Sequence, residues 1–435
     1  MRIGYVGLGA MGGALARRLL KSQPLVVWDL QPDAVGRMAK LGATPAATPA
    51  DLARGCDLIF TCLPRSANVQ ELLFGTGGLA AALTAGTIVV DQTSGNPHDT
   101  ARMARELTSR GGILLDAPVS GGQSGAEAGT IAIMVAGPQD SYAQVLPVLR
   151  SVSPNVEYCG PRVGDAHALK VVNNTMSGST RLATVELAAL GCKLGLPLSE
   201  IASAMDQGDG RNRTTGFSFP SLGKGQPPVN AFALALLLKD LDLGTSLGMG
   251  SGVPLPIANL VRSHHAMALG VLGPDAQLQE LFGLVARMAG TDLLHVPASP
   301  PAAPDHAVPG LLATGVAVSN LLMTYECAAL GVKYGLSLEL MAKVILKGGA
   351  WTGAAERVLP VLSADQPASG RKLTQALADL RLVADLAKRS GTPLLVCDLA
   401  RGLLEAALNR FGDQADLDVL AKLYEELAGT RFLGA

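Results

Sequence analysis

Short apolar runs alternate with longer amphipathic segments up to about residue 160 of the chain. Runs rich in branched apolar side chains are typical of strands that are buried on both faces of a parallel sheet. We predict such strands at residues 2–6, 25–29, 57–62, 86–91, 112–117, 130–136 and 155–159. Amphipathic segments such as 97–110 and 140–151 separate most of them. This alternation predicts an α/β fold with a Rossmann-like, doubly wound parallel sheet.

The pattern changes near residue 164, where the strand-like runs end and long helical segments begin with about Asp165 to Lys193. This helical part contains a repeat, because segments 186–198 and 326–338 are identical at nine of 13 positions, at an offset of 140 (326 − 186). A period of this length indicates a duplicated domain rather than a solenoid. We predict an α/β domain at 1–163, two related all-α domains at 164–296 and 310–435, and a proline-rich linker at 297–309.

The composition restricts the classes of protein to which the chain can belong. It has 435 residues, 48% of them hydrophobic, and a formal net charge of −1. Since no long run of one charge occurs, we expect neither a nucleic-acid nor a membrane-surface partner. No stretch of about 20 uninterrupted apolar residues occurs either, which argues against a membrane span. The cysteines are scattered without a C-x-x-C pair, so we expect reduced thiols, a cytoplasmic protein and no metal site.

A glycine-rich turn follows the first predicted strand and opens a helix. Gly7 permits the tight turn, Gly9 lets the backbone approach a pyrophosphate, and Gly12 lets the helix pack closely on the strand. The helix N-terminus then offers free N–H groups to the phosphates. We assign to a dinucleotide cofactor the residues Gly7, Leu8, Gly9, Ala10, Met11 and Gly12. A glycine turn with a purely structural role is the alternative.

Asp29 ends the second predicted strand, 17 residues after Gly12 (29 − 12). A carboxylate at this point accepts a hydrogen bond from the ribose 2′-hydroxyl and repels a 2′-phosphate. Because residues 30–33 contain no lysine or arginine, we predict that the cofactor is NAD rather than NADP. The alternative is that Asp29 only caps a helix that starts near Pro32.

Other candidate residues follow strands at the sheet edge where open α/β sheets bind their ligands. After the third and fourth predicted strands, we assign to the cofactor site the residues Leu63, Pro64 and Thr93. After the fifth strand, we assign to a substrate carboxylate the residues Ser120, Gly121 and Gly122. The two glycines expose backbone N–H groups, which suit an anion, although the same residues suit a flexible turn.

Several polar residues interrupt the apolar helical part of the chain. Lys170 lies in an apolar stretch, and Asn174 lies one turn further on the same helix face. Burial lowers the pKa of an ammonium group, so a lysine in a half-dry cleft can exchange a proton with a hydroxyl; a solvated surface lysine is the alternative. We expect His167 to pack or cap. Arg211 and Arg213 either contact an anionic or hydroxylated group of the substrate or lie in a solvated loop.

Four motifs, in order, resemble the β-hydroxyacid dehydrogenases, the group around 3-hydroxyisobutyrate dehydrogenase, with 6-phosphogluconate dehydrogenase as a larger relative. The motifs are the glycine turn at 7–12, Asp-Ala-Pro-Val-Ser-Gly-Gly at 116–122, the helix start at 164–174, and Lys239-Asp240-Leu241. The resemblance covers residues 1 to about 295. It implies an NAD-dependent dehydrogenase with Lys170 as the catalytic acid/base and Asn174 as a substrate ligand. It also implies that Lys239 lies near the substrate or the nicotinamide.

The resemblance further indicates which reaction to expect. In 6-phosphogluconate dehydrogenase, a histidine and a glutamate follow the lysine by three and seven residues, where this chain has Asn173 and Ser177. We therefore predict that a small 3-hydroxy carboxylic acid and its aldehyde or keto acid are interconverted by hydride transfer without decarboxylation. Two alternatives stay open: a reductase of another C=O or C=N substrate on the same fold, and a non-catalytic NAD-responsive binding module.

The second helical copy lacks the candidate reactive residues. At the local offsets of 140 and 139, the aligned residues are Gly310 for Lys170, Thr314 for Asn174 and Ala378 for Lys239. In single-copy relatives, two subunits wrap their helical domains around each other. We therefore expect the second copy to stand in for such a subunit contact, and a homodimer of the whole chain stays open.

Overall fold

The structure is a computed structural model that describes residues 1–228, 232–294, 307–364 and 368–435. It has two compact units, Met1–Lys170 and Val171–Ala435. Both predicted all-α domains therefore belong largely to one unit. Residues 297–306 of the predicted linker lie outside the described residues, and its last two residues already belong to a helix.

The first unit is built on a nine-stranded sheet with the strand order β3-β2-β1-β4-β5-β6-β8-β7, in which β9 pairs with β8. The strands are β1 (Ile3–Val6), β2 (Leu25–Trp28), β3 (Thr44–Pro45), β4 (Leu58–Thr61), β5 (Ile88–Asp91), β6 (Ile113–Asp116), β7 (Val119–Ser120), β8 (Ala132–Ala136) and β9 (Val156–Gly160). All seven predicted strands are present, and the short β3 and β7 were not predicted.

The sheet is parallel from β3 to β6, but β8 runs antiparallel to both β6 and β7. The doubly wound, mainly parallel sheet is thus confirmed, with an antiparallel strand at this edge that was not predicted. The reason is the length of the connection, because only residues 121–131 link β7 to β8. A parallel crossover needs a dozen residues or more, so the chain returns in the opposite direction.

Helices cover both faces of this sheet, as in other doubly wound folds. They are α1 (Ala10–Leu20), α2 (Pro32–Ala39), α3 (Pro49–Gly55), α4 (Ser66–Phe74), α5 (Pro97–Ser109), α6 (Gly122–Ala128) and α7 (Gln139–Val152). One apolar core includes Leu19, Val27 and Leu149, and the core of the opposite face includes Ile59 and Leu107. Burial on both faces explains why the strands are apolar at nearly every position.

The helix α8 (Asp165–Lys193) begins in the first unit and continues into the second, which is helical throughout its described part. The further helices are α9 (Leu198–Met205), α10 (Phe219–Gly223), α11 (Leu234–Ser251), α12 (Pro256–Leu272), α13 (Glu280–Met288), α14 (Val308–Tyr334), α15 (Leu338–Ile345), α16 (Gly353–Val358), α17 (Leu373–Ser390), α18 (Leu395–Phe411) and α19 (Leu420–Ala428). At the offsets found in the sequence, α14, α17 and α18 correspond to α8, α11 and α12.

Of the described helices, α14 alone is long and apolar enough to cross a membrane, and 72% of its apolar window is buried inside the protein. Core helices pass the same test of length and hydropathy. The expectation that the protein has no membrane partner stays a prediction.

The two helical repeats hold each other through buried glutamates at equivalent positions. Glu186 on α8 accepts three backbone N–H groups from the first turn of α18, at 2.7 to 3.2 Å. Its counterpart Glu326 on α14 accepts two from the first turn of α12, at 2.8 and 3.2 Å, and one bond from the Tyr424 hydroxyl. Because a helix start leaves N–H groups unsatisfied, each repeat completes a helix of the other.

These glutamates should make stability depend on pH. Burial is the largest influence on both carboxyls and raises the pKa of Glu186 to about 8 and that of Glu326 to about 7, against about 4.3 for a free glutamate. The folded state then binds more protons than the unfolded state at intermediate pH, so this contribution to stability falls as pH rises from about 5 to 8.

We expect Glu186→Gln, which cannot ionise, to show a smaller fall in Tm between pH 5.5 and 8.5 than the unsubstituted protein. Glu200→Gln is the matched control, because Glu200 is exposed on α9. Thermal unfolding followed by circular dichroism measures the difference. An unchanged pH dependence in Glu186→Gln would contradict the assignment.

Candidate active site

The glycine turn between β1 and α1 has the geometry of a nucleotide-binding turn. Gly7 has φ +91°, and a Cβ there would lie 2.3 Å from the Cys62 carbonyl oxygen. A Cβ on Gly12 would lie 2.0 Å from the Gly7 carbonyl oxygen, whereas a Cβ on Gly9 would meet nothing within 4 Å. Gly9 and Ala10 are exposed, and α1 has no side-chain cap and no acid in its first turn. The turn therefore leaves exposed backbone and free N–H groups where a phosphate would bind.

Asp29 lies half-buried at the end of β2 and is bonded to this turn. Its Oδ2 accepts the backbone N–H of Leu8 at 2.6 Å, and its Oδ1 accepts that of Gln31 at 2.8 Å. The alternative role as a cap of α2 does not account for these contacts, because α2 has no side-chain cap. Each carboxylate oxygen keeps a second lone pair, which a ribose hydroxyl can use.

The ends of β4 and β5 are joined by side chains that sequence analysis did not single out as a group. The buried Asp91 accepts hydrogen bonds from the Thr61 hydroxyl at 2.9 Å and the Thr93 N–H at 3.0 Å. The Thr93 hydroxyl in turn accepts the Leu63 N–H at 3.0 Å. Thr93 is 1% exposed, so its side chain orders this edge. Leu63 is half-buried and Pro64 is exposed, and their contact with a cofactor stays a prediction.

The first turn of α8 is fixed by a carboxylate from β6. Asp116 is fully buried, and its two oxygens accept the N–H groups of Gly164 and His167, each at 2.8 Å. Burial raises the pKa of this carboxyl, while His167 and the N–H bonds oppose the rise. Asp116 was visible only as part of a motif, and its capping role was missed because the partners lie 48 residues apart (164 − 116).

Lys170 is buried, with 8% of its surface exposed, and its Nζ donates a hydrogen bond to the Val119 carbonyl oxygen at 2.8 Å. The interpretation as a solvated surface lysine is therefore wrong. Val119 is followed directly by the predicted carboxylate-binding residues Ser120, Gly121 and Gly122. Gly121 has φ +135° and Gly122 has φ +70°. The structure thus brings the amine and this turn together within the first unit.

His167 has a packing role, as expected. It is fully buried, and its Nδ1 lies 2.9 Å from the hydroxyl oxygen of Thr100. Since that hydroxyl also donates to the Asn96 carbonyl oxygen, the imidazole joins α8 to the start of α5.

Asn174 belongs to a polar chain in the second unit. Its Nδ2 donates to Asp240 Oδ2 at 2.6 Å, and Lys239 Nζ lies 3.4 Å from Asp240 Oδ1. Asn173 donates from its Nδ2 to the side-chain oxygen Oδ1 of Asn174 at 3.1 Å. Asp240, which is 4% exposed, was named in the sequence only as part of a motif. It is the residue that brings Lys239 and Asn174 together.

Arg211 and Arg213 are not free in solvent. Their guanidinium carbons lie 5.5 and 5.6 Å from the ring centre of Trp351. Arg213 also donates to the Gly348 carbonyl oxygen, and Arg211 pairs with Glu356 at 2.9 Å. Both arginines therefore contact the second helical repeat, while Arg213 stays exposed, and a contact of either with a substrate stays a prediction.

Comparison with known families agrees with this geometry. The model described as the NAD-binding domain of 6-phosphogluconate dehydrogenase matches residues 2–160. The model described as NAD-binding of NADP-dependent 3-hydroxyisobutyrate dehydrogenase matches residues 164–285 and 312–424. The second model thus matches each helical repeat once.

Individual relatives align with about three fifths of this chain. Human mitochondrial 3-hydroxyisobutyrate dehydrogenase is 32% identical over 61% of this chain and 81% of its own. The 2-(hydroxymethyl)glutarate dehydrogenase of Eubacterium barkeri is 34% identical over 62% of this chain and 91% of its own.

Two solved structures are similar in fold. The 3-hydroxyisobutyrate dehydrogenase of Mycobacterium tuberculosis with L-serine has a TM-score of 0.62 at 25% identity, covering 66% of this chain and 99% of its own. The 6-phosphogluconate dehydrogenase of Plasmodium falciparum has a TM-score of 0.67 at 16% identity, covering 97% and 95%. The latter similarity shows that the fold extends over nearly the whole chain.

Replacing single glycines of this turn by alanine separates an effect on cofactor binding from an effect on folding. We expect Gly9→Ala to leave Tm within about 1 °C, because its Cβ meets nothing, and to weaken NADH binding about tenfold by obstructing the backbone approach. Gly12→Ala should instead lower Tm by several degrees, because its Cβ would overlap the Gly7 carbonyl oxygen. Fluorescence titration with NADH and thermal unfolding test both expectations. Equal effects of the two substitutions on binding and on Tm would contradict the assignment.

Proposed function

Since the chain belongs to the β-hydroxyacid dehydrogenase family and is an NAD(P)-dependent dehydrogenase of β-hydroxy acids, we propose that it interconverts a short 3-hydroxy carboxylic acid and its aldehyde or keto acid, with Lys170 as general acid/base. The observation that carries this proposal is the buried amine of Lys170 beside the Ser120–Gly122 turn. The relatives named above act on substrates of this kind, and L-serine, found with one of them, is itself a 3-hydroxy acid.

Lys170 moves the proton of the substrate hydroxyl. Its Nζ donates to the Val119 carbonyl oxygen, and this bond holds the amine beside the Ser120–Gly122 turn. When the substrate is oxidised, the neutral amine accepts the hydroxyl proton, and the ammonium returns it when the carbonyl is reduced. The apolar surroundings limit competing exchange with water.

Two groups of residues orient the substrate. Ser120, Gly121 and Gly122 offer a hydroxyl and backbone N–H groups to its carboxylate. Asn174 contributes an amide whose orientation is fixed by Asp240, and Lys239 places a positive charge beside the same aspartate. Because Asp240 holds both side chains, we assign it a positioning role.

The cofactor is NAD in this proposal. The turn from Gly7 to Gly12 and Asp29 would hold it, and once bound it supplies the two-electron acceptor for the carbinol carbon. The carboxylate of Asp29 is directed to the glycine turn by its bond to Leu8, where it favours a ribose hydroxyl over a phosphate.

The proposed reaction does not include decarboxylation. The two positions after Lys170 that carry a histidine and a glutamate in 6-phosphogluconate dehydrogenase hold Asn173 and Ser177. Neither an amide nor a hydroxyl is a proton donor of the strength that an enediol intermediate requires.

The second helical repeat, in this proposal, replaces a neighbouring subunit. Glu186 and Glu326 each bond to the opposite repeat, and Arg211 and Arg213 pack on Trp351 of the second repeat. A cytoplasmic location and a homodimer of the whole chain stay predictions.

Lys170→Met tests the catalytic assignment. We expect turnover of a 3-hydroxy acid to fall by at least about a hundredfold, which is a typical loss for a general acid/base, while the affinity for NADH stays within about twofold. Steady-state rates and NADH titration measure the two effects. Full turnover in this variant would remove Lys170 from the mechanism.

Asp29→Asn tests the choice of cofactor. We expect the unsubstituted enzyme to have a kcat/KM for NAD at least about tenfold above that for NADP, because the carboxylate repels the 2′-phosphate. The amide removes the charge, so the ratio should fall towards unity. A preference for NADP in the unsubstituted enzyme would overturn the assignment.

A further inference from the structure

Four polar side chains follow one another along a single face of α8. Lys170, Asn174, Ser177 and Arg181 are separated by four, three and four residues, which is the spacing of neighbours on one side of a helix. The first two are the proposed acid/base and a proposed substrate ligand. Ser177 and Arg181 extend the same polar face by two further turns and have no role in the mechanism so far.

Arg181 is a half-buried cation without an acidic partner among the described residues. Its Nη2 donates a long hydrogen bond, 3.4 Å, to the Ser177 hydroxyl oxygen, so the side chain extends back along the helix towards Asn174. Its Nε is buried without a hydrogen-bond partner. Burial lowers the pKa of this guanidinium to about 10, which still leaves it charged at neutral pH.

The neighbouring helix does not neutralise this charge. His265 on α12 is fully buried, its Nδ1 lies 2.8 Å from the Val261 carbonyl oxygen, and its Nε2 has no partner. Burial lowers the pKa of His265 to about 3, with smaller contributions from the neighbouring His264 and Arg181. Within the described ranges, no carboxylate lies at salt-bridge distance from Arg181. An uncompensated buried charge is costly, and an anionic ligand would remove that cost.

The second repeat shows that the fold does not need an arginine here. At the offset of 140, the face of α8 has the counterparts Gly310, Thr314, Ala317 and Leu321. Leu321 is fully buried in α14, so an apolar side chain satisfies the equivalent packing. The polar face is thus restricted to the copy that carries Lys170, whereas the structural glutamates are kept in both.

We propose that Arg181, assisted by Ser177, binds a second carboxylate of the substrate, so that the substrate is a short dicarboxylic 3-hydroxy acid. This inference rests on the proposed function. Asn174 and Ser177 are three residues apart, about 4.5 Å along the helix axis at 1.5 Å per residue. Two or three methylene groups span that distance, and a guanidinium binds a carboxylate through two parallel hydrogen bonds.

Three alcohols with the same reacting group test the proposal: 2-(hydroxymethyl)glutarate, 2-(hydroxymethyl)pentanoate, which lacks the second carboxylate, and the smaller 3-hydroxyisobutyrate. We expect kcat/KM of the unsubstituted enzyme to be at least about tenfold higher for the dicarboxylate. Arg181→Leu should lower kcat/KM for the dicarboxylate by about 10- to 100-fold, the effect of losing charge-assisted hydrogen bonds, and should change the other two less than about threefold.

Arg262→Leu is the matched control, because Arg262 pairs with Asp242 and is part of neither the polar face nor the site. Arg181→Lys keeps the charge and should retain part of the preference for the dicarboxylate. Equal losses on all three alcohols, or no preference in the unsubstituted enzyme, would overturn the proposal. The leucine variant should fold at least as stably as the unsubstituted protein, since it removes an unpaired charge.

A binding measurement separates this proposal from the proposed function. Glutarate carries two carboxylates and no hydroxyl, so it reports on the anion site without turnover. We expect it to raise Tm of the unsubstituted protein and of Arg262→Leu but not of Arg181→Leu. If none of the alcohols is oxidised while glutarate behaves in this way, the proposed reaction fails and the anion site stands. If glutarate stabilises none of the proteins, or stabilises all of them equally, the anion site is refuted.

Discussion

The carboxylate of Asp116 fixes the first turn of α8, and the directions of the proposed reactive side chains depend on that turn. A helix start has N–H groups without intrahelical partners, and Asp116 satisfies those of Gly164 and His167. Once the first turn is set, the period of 3.6 residues determines where every later side chain points. A start displaced by one residue would rotate the face by about 100° and would direct Lys170 away from the Val119 carbonyl oxygen.

The two helical repeats keep the interactions that hold them together and differ in those that carry chemistry. Glu186 and Glu326 cap helices of the opposite repeat in the same way. Asp240 and Asp379 both accept a hydrogen bond from the equivalent position of α8 and α14. In contrast, the lysine, serine and arginine of the α8 face are replaced by glycine, alanine and leucine. The second copy therefore supplies packing surface without a reactive face.

Local patterns predicted the glycine turn, the seven main strands and the bounds of α8, because turn geometry and helical periodicity depend on residues close in sequence. They did not predict the roles of Asp116 and Asp240, whose partners lie 48 and 66 residues away (164 − 116 and 240 − 174). The reversed direction of β8 was not predicted for a related reason. Whether two strands pair parallel or antiparallel depends on the length of their connection, which the composition of the strands does not show. Arg181 was not among the predicted site residues, because the sequence does not show that no carboxylate of the described residues pairs with it.

The placement of the repeats explains how one copy could lose its reactive residues. Asn212 forms an antiparallel bridge with Thr352, its own counterpart at the offset of 140. An antiparallel pairing of equivalent positions indicates that an approximate two-fold axis relates the two repeats. In a symmetric dimer every change appears on both sides of such an axis, whereas two copies in one chain change separately. The caps have also diverged: Tyr424 donates to Glu326, but its counterpart beside Glu186 at the offset of 139 is Val285 (424 − 139).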